Sequence, residues 1–229
     1  MEKITIIGLD LAKSVFQIHA ITEDGHIAVR RALRRSQVLE FFRHIEPCLV
    51  GMEACGSAHY WANAIGKFGH TVRLMPPAYV KPYVKRNKTD AADAEAICEA
   101  VTRPTMRFVP VKSPEEQAAG MVLKTRELLV RQRSQTANAM RGHMAELGII
   151  AAAGMTSIAK LIAILRDDQD GRLPHSAKAA LLEMADQIER LTERVEVLDS
   201  KIIAAVKADD AARRLTTIPG VGPIIAATV

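Results

Sequence analysis

Aromatic side chains are scarce, with Phe, Tyr and Trp making up 4% of 229 residues. That is too few for a single-strand binder built on rows of exposed rings. The three cysteines, Cys48, Cys55 and Cys98, have no short metal-type spacing and sit among small or apolar neighbours. They read as buried free thiols in a reducing compartment. No apolar run approaches the ~18 residues of a membrane span. The opening MEKITIIGLD lacks the charged head, long apolar core and small-residue cleavage site of a signal peptide. A cytoplasmic protein with no membrane partner is expected. Also missing are a nucleophile elbow, a Walker loop and a Cys/His zinc cluster.

What is present begins with alternation. ITIIGLDL, SVFQIHAIT and HIAVRRAL read as three strands, with Asp24-Gly25 turning between the last two. Ser36 stands as an N-cap before QVLEFFRHI. CLVGMEA reads as a buried strand, SAHYWANAIGKFG as a helix closed by Gly69, and HTVRLM as another strand. A meander followed by alternating elements predicts an α/β fold, a mixed sheet with flanking helices. A helix from Asp90 to Val101 and a last extended segment near Pro110 complete this part.

Beyond Pro114 a long helix is expected over 115–147, its middle without apolar residues. Between Lys124 and Arg141 it carries five basic residues against one acid, Glu127. A solvated helix is the plain reading; one-signed charge favours a nucleic-acid face, with Arg131, Arg133 and Arg141 as contacts. Residues 148–174 read as linker-like, with Gly148, Gly154 and DDQDGRLP. Leu181, Met184, Ile188, Leu191, Val195, Leu198, Ile202 and Ala205 then alternate spacings of three and four. That is a coiled-coil seam, read as pairing two copies through 181–205, with a hairpin within one chain as the alternative. The tail LTTIPGVGPIIAATV resembles a helix-hairpin-helix turn or a plain tight turn, and stops in mid-element.

Charge supplies the chemical signal. The chain carries 31 Lys and Arg against 26 Asp and Glu. That excess is mild, so clustering matters more than the sum. Lys81, Lys85, Arg86 and Lys88 run without an intervening acid into Asp90 and Asp93. Three residues apart on a helix, these two aspartates share a face, with Cβ atoms about 5–6 Å apart. Asp10 follows the apolar run Ile4 to Leu9, and Glu53 ends CLVGME. Acids at core strand positions need a cation or a metal, and carboxylate oxygens suit Mg²⁺ or Mn²⁺. Taken singly, each acid has an ordinary explanation: a helix cap, a turn residue or a salt bridge. Together, an Asp on the first strand, a Glu on a middle strand and two Asp on a later helix form the arrangement of ribonuclease-H-like nucleases. His59 and His143 are lesser candidates for phosphate contact or proton transfer, with surface histidines as the plain reading.

IIGLDLAKSVFQIHAI, VGMEACGSAHYWA and above all YVKRNKTDAADAEAI resemble the N-terminal domain of the DEDD-type insertion-sequence transposases. The resemblance covers residues 1 to about 147, and the coiled coil and TIPGVGP follow in the family's order. It implies an RNase H-like (RuvC-like) domain at 1–112, a helical and coiled-coil region at 113–208, and the start of a truncated C-terminal domain at 209–229. It further implies DNA as substrate, strand cleavage and exchange, a structured guide RNA, and Mg²⁺ or Mn²⁺ as two ions on Asp10, Glu53, Asp90 and Asp93. Lys81, Lys85, Arg86 and Lys88 would hold the backbone. A homodimer, or a higher oligomer on DNA, is expected. The serine nucleophile of the family lies in a domain outside this chain. The alternatives are a RuvC-type junction endonuclease and a non-catalytic nucleic-acid-binding remnant.

Overall fold

The computed structural model describes residues 3–85 and 89–228. It divides into two compact units, Met1–Gln117 and Ala118–Val229.

In the first unit, β1 (Ile4–Asp10), β2 (Val15–Thr22) and β3 (Ile27–Arg34) form an antiparallel meander. The turn at Gly25 has φ of 78°, where a side chain would be strained. A 3₁₀ turn (Arg35–Gln37) leads into α1 (Val38–Arg43). Ser36 sits inside that turn instead of capping α1; the Gln37 side chain accepts from the Arg34 N–H at 3.0 Å. Then come β4 (Leu49–Glu53), α2 (Ala58–Gly66), β5 (Thr71–Met75), α3 (Pro77–Val80), a 3₁₀ turn (Lys81–Tyr83) and α4 (Asp90–Ala100). The strand order is β3-β2-β1-β4-β5, with β1, β4 and β5 parallel. This mixed sheet with helices on both faces is the RNase H-like fold.

Period-two alternation divides the sheet residues between two cores. Ile7, Leu9, Phe16, Ile18, Val50, Met52 and Leu74 pack on one face with Val38, Phe42, Trp61 and Ile65 of α1 and α2. Ile6, Leu49 and Met75 pack on the other with Ile97, Ala100 and Val101 of the α4 region. Val109 donates to the Leu74 carbonyl at 2.8 Å, the extended segment expected near Pro110. Lys112 closes it onto α2, its N–H reaching His59 Nδ1 at 3.1 Å and its carbonyl accepting from Asn63.

Helix α5 (Pro114–Glu146) starts at a reciprocal cap: Ser113 Oγ accepts from the Glu116 N–H, and Glu116 Oε2 from the Ser113 N–H. The linker expected over 148–174 instead contains α6 (Met155–Arg166). Its Ile158, Leu161, Ile162 and Leu165 recur at helical spacing and are buried. After α7 (His175–Ala208), the short helices α8 (Asp210–Leu215) and α9 (Pro223–Ala226) are joined by a tight turn, with Gly220 at φ of 86°.

The expected coiled-coil seam lies along α7, and its partner comes from the same chain. Leu181, Ile188, Leu191, Val195 and Ile202 are all buried in the single chain. Met140 and Met144 of α5 and Leu161 and Leu165 of α6 share a core with Leu181, Ala185 and Ile188. Farther along, Val122 and Leu123 share one with Ile202, Val206 and Ala226. Arg126 bonds both oxygens of Asp199. Residue numbers falling along α5 as they rise along α7 mark an antiparallel hairpin. The single chain thus covers five of the eight seam residues, as the hairpin alternative has it, while Met184 and Leu198 stay half-buried and Ala205 exposed. Ile188→Ala is expected to cost about 2–5 kcal/mol in the helical unit. The loss should be the same at low and high protein concentration in denaturant titrations; a concentration-dependent midpoint would favour the intermolecular seam.

Candidate metal and nucleic-acid site

The site is built on two glycines. Gly8 and Gly51 are register partners on β1 and β4. A Cβ on Gly8 would lie 2.1 Å from the Ala94 carbonyl oxygen and 2.5 Å from the Cys98 nitrogen. One on Gly51 would lie 2.8 Å from the Val101 Cβ. Only glycine lets the backbone of α4 come down onto the sheet here.

Asp10 and Glu53 lie two residues beyond these glycines, so alternation puts them on the same face as α4. The last β1–β4 pair is Leu9 with Met52, and Asp10 and Glu53 follow at the ends of their strands. Neighbouring strands are about 4.8 Å apart. Both acids are half-buried and engaged in interactions.

Asp90 and Asp93 occupy the first turn of α4, Asp90 exposed and Asp93 half-buried. Thr89 is the N-cap: its hydroxyl accepts from the Ala92 N–H at 3.3 Å, and its carbonyl accepts from the Asp93 N–H at 3.0 Å. The cap therefore belongs to Thr89, and the two aspartates are left as acids near a helix N-terminus, where negative charge is favoured. The strands' two acids and the helix that carries the other two thus lie on one side of the sheet. Among the described residues, no three Asp, Glu, His or Cys side chains stand close enough together to hold a metal ion.

Of the basic approach, Arg86 and Lys88 lie outside the described residues. Lys81 is exposed at the start of its 3₁₀ turn. Lys85 is ion-paired with Glu95 of α4. That hydrogen bond holds the Glu95 carboxyl below its ordinary range, with burial opposing, and raises the Lys85 ammonium. Glu95 was not singled out in the sequence, where nothing marks it as a partner of Lys85.

His19 stands in register with Gly8, between it and Arg30 of β3. It is buried, and its Nδ1 has no hydrogen-bond partner among the described residues. Burial pushes its pKa below 6.5; Glu95 acts in the opposite sense, and Arg30 and Lys85 add to the lowering. Below pH 6.5 the unfolded chain therefore takes up a proton that the folded chain refuses. Stability should fall as pH drops from 6.5 toward the lowered value, with no contribution above 6.5. Urea midpoints at pH 7.5 and 5 should differ less in His19→Gln than in the wild type; an equal difference would remove His19 as the cause.

Cys98, against Gly8, and Cys48 are buried, and burial pushes their thiols up to about 12 and about 11. Cys55 is exposed, unlike the buried thiol expected. On α5, Arg131 is exposed and 4.0 Å from Glu127. Arg133 Nε is buried without a partner among the described residues. Arg141 bonds Asn138 and the Ala152 carbonyl. His143 lies 3.6 Å from Glu146 on the outside of α5.

The IS110-type DEDD transposase model, described as "Transposase", matches residues 7–149. The chain belongs to the DEDD transposases. It is 47% identical, over 97% of its length, to the "Probable family 20 transposase" of Pseudomonas aeruginosa, covering 66% of that protein. It is 36% identical to the "Transposase for insertion sequence element IS1328" of Yersinia enterocolitica, covering 99% of this chain and 67% of that one. Identity to the "Transposase for insertion sequence element IS1111A" of Coxiella burnetii is 34%, over 100% of this chain and 63% of that protein. The chain thus spans about two thirds of the length of these curated relatives. Among the described residues no helix is long and apolar enough to cross a membrane.

Proposed function

We propose that this transposase chain carries a divalent-metal site, formed by Asp10, Glu53, Asp90 and Asp93, that acts in DNA strand cleavage and exchange. The observation that carries the reading is the in-register pair Gly8 and Gly51, which seats α4 on the face where Asp10 and Glu53 end their strands. The donors are all carboxylates, which fits a hard cation such as Mg²⁺ or Mn²⁺. When bound, the ions would polarise a phosphodiester and stabilise charge on its attacking and leaving oxygens.

The chain's own residues divide the remaining work. Asp10 and Glu53 offer oxygens from rigid strand ends, while Asp90 and Asp93 bring theirs on α4, whose Glu95 is tied to Lys85. Lys81, Lys85, Arg86 and Lys88 lie before α4 in the chain and would hold the phosphate backbone. Such contacts give affinity and position without reading sequence. Arg131, Arg133 and Arg141 of α5 would contact nucleic acid outside the metal site, and a structured guide RNA is the partner the family resemblance implies. A homodimer through 181–205 would use the part of the α7 stripe that the single chain leaves open, Met184, Leu198 and Ala205.

The test is cleavage of labelled DNA by the chain with Mg²⁺, with chelator, and as Asp93→Asn, each with and without copurifying RNA. Cleavage only in wild type with metal supports the reading; cleavage unaffected by chelator and by the substitution overturns it. Metal-dependent cutting of four-way junctions without RNA would favour junction resolution instead.

A further inference from the structure

We propose that a cleft at the carboxylate end of the first unit is a binding subsite for single-stranded nucleic acid, taking backbone phosphates on its cations and one unpaired base on Tyr60. The cleft has a volume of about 700 Å³ and is lined by Lys13, Ser14, Arg34, Arg35, Tyr60 and Trp61, with no acid among its walls. Its size lies within the range of small-ligand sites. The proposal rests on the reading of this chain as a nucleic-acid enzyme and adds a second place where the strand is held.

Three cations from three neighbouring segments meet there. Lys13 comes from the β1–β2 turn, and Arg34 and Arg35 from the end of β3 and the following 3₁₀ turn. These walls are fixed to each other: Arg34 is the register partner of Val15, and the Arg35 N–H donates to the Ser14 carbonyl at 2.9 Å. None of the three forms an ion pair among the described residues, whereas Lys85 and Arg126 have found acids. Unpaired like charges held together repel, and a polyanion relieves that repulsion.

The aromatic wall is ordered in the same way. The Arg35 guanidinium lies over the Trp61 ring at 5.0 Å and the Phe16 ring at 5.8 Å. Tyr60 packs edge-on against Trp61 at 5.3 Å, yet it is 53% exposed. A ring braced at its edge and open to solvent is a platform for one base. With aromatics at 4% of the chain, one platform and not a row is what this surface provides.

A charged edge strand protects against edge-to-edge pairing, and this accounts for Arg30 and Arg31 farther along β3. It does not account for Lys13, which comes from another element, or for the braced Tyr60. Placement supplies the functional link. Lys13 follows Asp10 by three residues, and Tyr60 lies in the first turn of α2, just after Glu53. The strands that end in the carboxylates lead directly into the walls of the cleft. The aromatic wall of the cleft belongs to the α1–α2 face of the sheet and the carboxylates to the α4 face, so the cleft is a separate hold on the strand at the same end of the sheet.

The experiment is fluorescence anisotropy on the full chain in EDTA, so that binding is read without metal. Single-stranded DNA, single-stranded RNA of the same sequence and the DNA duplex serve as probes. Lys13→Ala with Arg34→Ala should flatten the plot of log affinity against log salt by about 1.4 on a single strand, two phosphates at roughly 0.7 each. Tyr60→Ala should weaken single-strand binding about tenfold, leave duplex binding within about twofold, and be largely rescued by Tyr60→Phe. All three positions are exposed, so unchanged melting curves confirm the fold of the variants. A larger loss with RNA or with DNA supports the subsite and identifies its strand. An unchanged salt slope with unchanged single-strand affinity overturns it, as does equal weakening on duplex. Mn²⁺ binding is measured separately on the same variants. Failure of the cleft would leave it intact, and failure of the carboxylate site would leave the EDTA binding data standing.

Discussion

Gly8→Ala is expected to destabilise the first unit by about 3 kcal/mol, at the upper end of the overpacking range. For a unit of this size that lowers Tm by roughly 10 °C. The reason is local and steric. The new methyl would sit 2.1 Å from the Ala94 carbonyl oxygen and 2.5 Å from the Cys98 nitrogen, both backbone atoms of α4. A side chain can rotate away from such a contact, but a helix backbone has to move as a body. Gly51→Ala meets the Val101 Cβ at 2.8 Å and is expected to cost less. Gly56→Ala meets nothing within 4 Å and serves as the neutral comparison. Thermal melts of the three variants check the order. Equal melting of Gly8→Ala and Gly56→Ala would mean that α4 does not rest on β1 as described. Because α4 carries Asp90 and Asp93, any Gly8→Ala protein that folds should also bind divalent metal more weakly than the wild type.

Asp10→Asn is expected to lower metal-dependent DNA cleavage by about 10³-fold or more, which corresponds to the several kcal/mol of charge stabilisation a bound metal supplies. The amide keeps the shape of the side chain and removes the charge that a cation needs. The effect should appear without any turnover as well. Ligand at about 100 times its Kd stabilises a protein by about 2.7 kcal/mol. The wild type should therefore melt several degrees higher in Mn²⁺, and Asp10→Asn should show little of that rise. Glu53→Gln should behave in the same way, because Glu53 ends the neighbouring strand on the same face. A full Mn²⁺-induced rise in both variants would place the metal elsewhere or nowhere.

The strands of the first unit were legible because each is an alternating or apolar run bounded by turn residues. The places of the acids in the chain were legible too: Asp10 and Glu53 end strands, and Asp90 and Asp93 lie in the first turn of a helix. What Gly8 and Gly51 do was not legible, since it depends on strands forty residues apart meeting in register beneath a helix. Lys85 read as a free cation because its partner Glu95 lies ten residues ahead, across the start of α4. Helix α6 was hidden by its flanks, Gly148 and Gly154 before it and DDQDG after it, although Ile158, Leu161, Ile162 and Leu165 carry a helical period. The seam of α7 shows the limit of periodicity. Heptad spacing reports that a stripe will be covered, but not whether a second copy or α5 covers it. Polar residues in the middle of α5 concealed the apolar positions at its two ends that do so.

The central claim is that four acids from two strands and one helix make one cation site, and Mn²⁺ binding by the full chain tests it most directly. Titration followed by electron paramagnetic resonance should show saturable binding of about two ions in the wild type, the number a two-metal site requires. Binding should weaken sharply in Asp10→Asn, Glu53→Gln, Asp90→Asn and Asp93→Asn, each measured with its fold confirmed by melting. If all four variants bind Mn²⁺ as the wild type does, the carboxylates are not a metal site.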